Sequence, residues 1–88
     1  MKITVVRSGG IVGAPRRWEV TLDDRDDRES WLMLVRELPW NEVPRVPPAP
    51  DRYVYRISCA RRTVVLPEQQ VVGPWRDLVD RVRDAASE

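Results

Sequence analysis

Histidine is absent from this chain, and with it go the usual general base, the usual partner of a nucleophile and the commonest zinc ligand. Enzymatic activity is therefore not expected, nor is a resident metal or cofactor. Cysteine occurs once, as Cys59, so no internal disulfide can form. With no basic-then-apolar leader after Met1, the expected compartment is a reducing cytoplasm. Cys59 has no histidine to activate it and sits beside apolar residues at a strand end, so it reads as a structural thiol, not a nucleophile or ligand. Long apolar runs are missing too: none approaches the roughly 20 residues that cross a bilayer, which excludes a membrane-spanning role. Nor is there an excess of one charge. The formal net charge is +1, from 15 Lys and Arg against 14 Asp and Glu, so long-range attraction to nucleic acid or anionic lipid is weak and any electrostatic effect is local. Lys2 is the sole lysine, and the other 14 cations are Arg. Arginine's planar fork suits protein interfaces, although the codon usage of a GC-rich genome explains the bias as readily.

What is present is the composition of a small folded domain: 88 residues, 42% hydrophobic and 33% charged, read as a single domain over residues 1–88. A chain of this length buries only about 60–65% of the surface its unfolded form exposes, which leaves little room for a deep pocket. Ile3 and Val5 alternate with Thr4 and Val6 across Lys2–Arg7, the period of a strand. Ser8-Gly9-Gly10-Ile11-Val12-Gly13 follows, with glycines that permit a reversal, and then Trp18, Val20 and Leu22 alternate with Arg17, Glu19 and Thr21. This predicts a β-hairpin with two aliphatic residues in its connection. Asp26 and Glu29 have capping-box spacing ahead of a helix whose apolar stripe is Trp31, Leu34, Val35 and Leu38, stopped by Pro39. The proline-rich residues 39–50 predict a stiff, extended connector; docking into an aromatic groove is the other use of such a segment.

Tyr53, Tyr55 and Ile57 alternate with Val54, Arg56 and Ser58 in a third strand. A turn through Ala60, Arg61 and Arg62 leads to Thr63-Val64-Val65-Leu66, ended by Pro67. Gly73 and Pro74 announce a second helix with Trp75, Leu78, Val79 and Val82 inward and its arginines and aspartates in solvent. The expected fold is α+β, in the order ββαββα: a four-stranded, mainly antiparallel sheet with two helices packed on one face.

The remaining polar features carry little chemistry. Asp23-Asp24 and Asp26-Asp27 fit solvated residues at a helix start. The Ser-Gly-Gly stretch joins two strands and lacks the Lys and Ser/Thr of a phosphate loop. Arg7, Arg16 and Arg17 flank the first hairpin and Arg61 and Arg62 cap the second; with Tyr53 and Tyr55 they permit an RNA-stacking platform, against which the near-neutral charge argues.

Three stretches, Val5-Val6-Arg7-Ser8-Gly9-Gly10-Ile11-Val12-Gly13, Pro50-Asp51-Arg52-Tyr53-Val54-Tyr55 and Val65-Leu66-Pro67-Glu68, resemble the emfourin-like family of small inhibitors of thermolysin-type zinc metalloproteases, over nearly the whole chain. The resemblance implies a bacterial cytoplasmic protein, often encoded beside a protealysin-like protease, that binds the enzyme one to one and blocks its active-site cleft. No small-molecule substrate is implied, and the free protein is expected to be a monomer. Thermolysin-type enzymes favour bulky apolar groups just beyond the scissile bond, so the hairpin tip, Ser8, Gly9, Gly10, Ile11, Val12 and Gly13, becomes the protease-binding segment. Ile11 is the first anchor, Val12 the second, and Arg16 and Arg17 are rim charges. The alternative is that Ile11 and Val12 fold back over the sheet edge while the glycines only make the turn. Blocking access does not require capture of zinc, for which a backbone carbonyl or a carboxylate would be the available ligand. The long proline-rich segment leaves any contact from residues 39–50 open.

Overall fold

The computed structural model describes residues 1–9, 14–42 and 52–86. The element order is β1 (Lys2–Gly9), β2 (Arg16–Thr21), α1 (Arg28–Glu37), β3 (Tyr53–Cys59), β4 (Arg62–Pro67), a 3-10 turn (Glu68–Gln70) and α2 (Pro74–Ala86). The strands form one sheet in the order β2-β1-β3-β4, antiparallel throughout. The expected ββαββα α+β architecture is the one observed.

Register explains why one face is covered. Ile3 stands opposite Val20 and Cys59, Val5 opposite Trp18 and Ile57, and Tyr55 opposite Leu66. Directly paired residues share a face, so these side chains form one apolar surface. Trp31 from α1 and Trp75, Leu78, Val79 and Val82 from α2 join them in a single buried cluster. Both helices therefore cover the same side, as expected. The other side presents Thr4, Val6, Ser8, Arg17, Glu19, Arg56 and Val65, none of them buried.

The helices differ in how closely they follow the sequence pattern. All four apolar residues predicted for α2 are buried, Pro74 holds its first position, and Gly73 precedes it at φ 58°. In α1 only Trp31 is buried; Leu34 and Val35 are half-buried. The predicted capping box is not formed. The helix starts at Arg28 behind Asp27, with no side-chain cap, because the Asp27 carboxylate is taken by Arg25 at 2.9 Å and Arg81 at 3.5 Å. Hydrogen bonding from Arg25 holds the Asp27 carboxyl below its ordinary value. Leu38 turns to ψ 135°, as the residue before a proline does, and is buried outside the helix.

The connector is more integrated at its start than stiffness alone predicts. The Trp40 indole N–H donates to the Val35 carbonyl at 3.0 Å and its ring meets Trp75 edge-on, with centroids 5.1 Å apart. Residues 43–50 of that segment lie outside the described residues. The second hairpin is tighter than predicted: Arg62 already pairs with Cys59, so the turn is Ala60-Arg61, with Ala60 at φ 54°.

Cys59 is 2% exposed. Burial pushes its thiol from an ordinary 9.0 up to about 11, because the thiolate would lose its hydration. The folded chain thus keeps this proton after the unfolded chain has lost it. The corresponding stability is complete below about pH 9 and disappears as pH rises towards 11. Melting temperature measured across that window should fall more steeply for the wild type than for Cys59→Ala; parallel curves would mean that the thiol ionises freely in the fold.

Candidate functional site

The sheet end from which the β1–β2 connection departs is built from residues of three strands and one helix. β1 outlasts its pairing with β2, which ends at Arg7 opposite Arg16, and continues beside β3 through Ser8 and Gly9, the latter opposite Tyr53. Gly9 adopts φ 89°, and a Cβ there would stand 2.8 Å from the Arg52 carbonyl oxygen. Both the backbone angle and the close approach require glycine. The stem of the tip is thus clamped against β3 on one side.

On the helix-covered face of this stem lies a cluster of arginines and aromatic rings. The Arg7 guanidinium stacks 4.3 Å from the Tyr53 ring centroid and 5.6 Å from that of Trp18. Arg16 and Arg83 approach the same indole at 5.7 and 5.2 Å. Each such contact contributes about 0.5–1 kcal/mol at an exposed site, and the converging positive charges are moderated by Asp80 and Asp84, which line the same cleft between β2 and α2. Arg16 and Trp18 are placed by β2, Arg7 by β1 and Arg83 by the last turns of α2. The cluster therefore ties the base of the tip to the helix layer.

The predicted site residues separate in the structure. Ser8 and Gly9 belong to β1. Gly10, Ile11, Val12 and Gly13 lie outside the described residues, so neither reading of Ile11 and Val12 is decided. Arg16 and Arg17, paired in the sequence as rim charges, face opposite sides of the sheet. Arg16 joins the Trp18 cluster, whereas Arg17 bonds Glu19 at 2.6 Å; that bond, with Lys2 at 3.5 Å from the same carboxylate, holds the Glu19 carboxyl below its usual value. Trp18 and Arg83 are not among the expected site residues, and Arg7 and Tyr53 enter the sequence reading only through the RNA-stacking alternative. The cross-strand match of Arg7 with Arg16 was available in principle from the hairpin, but Arg83 reads from the sequence only as part of a solvated helix face.

The RNA-stacking alternative also meets the structure here. Tyr55 is buried and Tyr53 is half-buried under Arg7, so the two do not form an open stacking platform for bases. Among the described residues no group of three His, Cys, Asp or Glu side chains is placed to hold a metal ion, and no helix is long and apolar enough to cross a membrane.

Comparison with protein families supplies the decisive observation: the Emfourin family model matches residues 5–83. The chain belongs to the Emfourin family. The match begins at Val5 in β1, takes in the first hairpin from there through β2 and ends at Arg83, so every member of the arginine–aromatic cluster falls inside the emfourin region. No curated protein and no solved structure matches the chain.

Gly9→Ala tests the clamped stem. A methyl group must displace the Arg52 carbonyl and hold an unfavourable φ, so the substitution should destabilise the fold by about 1–3 kcal/mol in urea unfolding. A loss below a few tenths would show that the stem relaxes freely.

Proposed function

We propose that this emfourin is a protein inhibitor of a thermolysin-type, protealysin-like zinc metalloprotease, which it binds one to one, blocking the active-site cleft with the tip of the β1–β2 hairpin. The observation that carries this reading is the emfourin match across residues 5–83, which spans both the tip and the stem beneath it. The stem geometry supports the choice of element. A loop that enters a cleft binds tightly when little ordering is left to do on association. Gly9 clamped beside Arg52, and Arg7 stacked between Trp18 and Tyr53, anchor the base of this one.

Ile11 is the anchor of the complex and Val12 its neighbour, filling the apolar subsite such enzymes offer, while Gly9, Gly10 and Gly13 let the backbone approach the cleft wall. Arg16 meets acidic residues on one side of the cleft and Arg17 on the other, since they face opposite sides of β2. A protease–inhibitor interface takes about 800 Å² from each partner, which for so small a domain is one end of the molecule: the tip, Ala14 to Arg17 and the Arg52–Tyr53 corner. Inhibition proceeds by steric exclusion of substrate, with no step of bond chemistry assigned to the inhibitor.

Titration of the purified chain into a protealysin-like enzyme and into thermolysin, followed by hydrolysis of a fluorogenic peptide, tests the reading. Stoichiometric loss of activity with the inhibitor uncut is the expected result; undiminished hydrolysis of both would leave an interaction module with another partner. In the same assay Ile11→Asp should weaken inhibition by about 2 kcal/mol or more, roughly thirtyfold. Cys59→Ser should keep full potency, and its loss without unfolding would give the thiol a role in the complex.

A further inference from the structure

The end of the sheet remote from the tip carries a second concave feature. Leu32, Val35 and Cys59 line a predominantly apolar groove of about 450 Å³ between α1 and the β3–β4 turn, with Arg36, Arg61 and Arg62 beside them. The three arginines are exposed, whereas Leu32 and Val35 are half-buried, so the guanidiniums form the rim and the aliphatic groups the floor. None of the three has a carboxylate partner among the described residues; the recorded contact is that of Arg62 with the Trp40 ring, at 5.7 Å.

This pairing of chemistries specifies an occupant. An aliphatic side chain lying on the floor removes apolar surface from water. Carboxylates beside it would form charge-assisted, bidentate bonds with these guanidiniums. The rim is also positioned in advance: Arg61 lies in a two-residue turn and Arg62 starts β4, so both directions are set by the hairpin. The groove is partly open to solvent, less enclosed than ligand pockets that bury most of a small molecule. Its fit is to a side chain presented by a larger partner.

We propose that this groove is a second protein-docking site, taking an acidic segment of a partner in which a leucine-like side chain is flanked by carboxylates. Cys59, Ala60 and Arg62 stand at the end of β3 and β4 opposite to Tyr53 and Pro67, so an occupant here leaves the β1–β2 tip free. The domain then has two separate faces and could hold two partners at once. This inference rests on the groove alone and stands or falls independently of protease inhibition.

The test is a titration of the full, isotope-labelled chain, monitored through backbone amide resonances, with three capped tripeptides: Glu-Leu-Glu, Lys-Leu-Lys and Glu-Gly-Glu. Glu-Leu-Glu should give saturable shifts at Leu32, Ala60 and Arg61 in the millimolar range, with each control at least about fivefold weaker. Arg61→Glu combined with Arg62→Glu, and Arg36→Glu alone, should each weaken the response about tenfold while the chain stays folded, with melting temperature lowered only slightly by loss of the Arg62–Trp40 contact and of the cation in the last turn of α1. Absence of saturable shifts, an equal response to Lys-Leu-Lys, or shifts centred on the Arg7–Trp18 end would overturn the proposal. Hexanoate binding as strongly as Glu-Leu-Glu would do so too, by making the groove a small-anion site.

Discussion

Ile3, Val5, Tyr55, Ile57 and Leu66 project from β1, β3 and β4 towards Trp31, Trp75, Leu78, Val79 and Val82. Removal of that shared surface from water is the interaction on which the rest of the molecule depends. Burying one such side chain contributes about 1.5–3 kcal/mol, and a domain this small has a single layer of them to set against the entropy of ordering its backbone. One face of the sheet is spent on this contact. The open face and the two ends of the sheet are what remain for binding.

The two ends have unlike chemistry because different elements meet there. At the tip end α2 runs out over β2, and its Arg83, Asp80 and Asp84 come together with Arg16 and Trp18. The outcome is a charged, ring-filled stem beneath a loop. At the other end the short Ala60-Arg61 turn lies across from α1, and the gap between them keeps an apolar floor. The same antiparallel layout that closes the core therefore separates the proposed inserting element from the proposed docking groove by the length of the sheet.

Much of the fold was legible in the residues. The alternation of Ile3 and Val5, of Tyr55 and Ile57, and the Trp75-Leu78-Val79-Val82 stripe are local periodicities that a strand or helix must satisfy whatever surrounds it. Where local signals compete, long-range packing decides between them. Asp26 and Glu29 have the spacing of a capping box, yet the helix starts behind Asp27, whose carboxylate meets Arg25 and Arg81 and does not cap the helix, and Arg81 belongs to the other helix. Leu34 and Val35 match the helical stripe but are only half-buried, and Val35 lines the groove beside the β3–β4 turn. Trp40, inside a proline-rich stretch, reads as connector and is instead an anchor on Trp75.

Residue order alone set the types of the strands and α-helices, their order, the inward residues of β1, β2, β3 and α2, the absence of histidine chemistry and the likeness to the emfourins. These follow from properties carried by one residue or by neighbours within a turn or two. The sequence also singled out the first hairpin, through its glycines and paired aliphatics. Packing alone settled that Arg83 reaches Trp18 from α2, that Gly9 is held against the Arg52 carbonyl, and that Arg36 stands beside Arg61 and Arg62. Each of these joins residues far apart in the chain, and their meeting is set by strand register and by the seat of the helices on the sheet. Those are properties of the whole packed core, which no local pattern encodes.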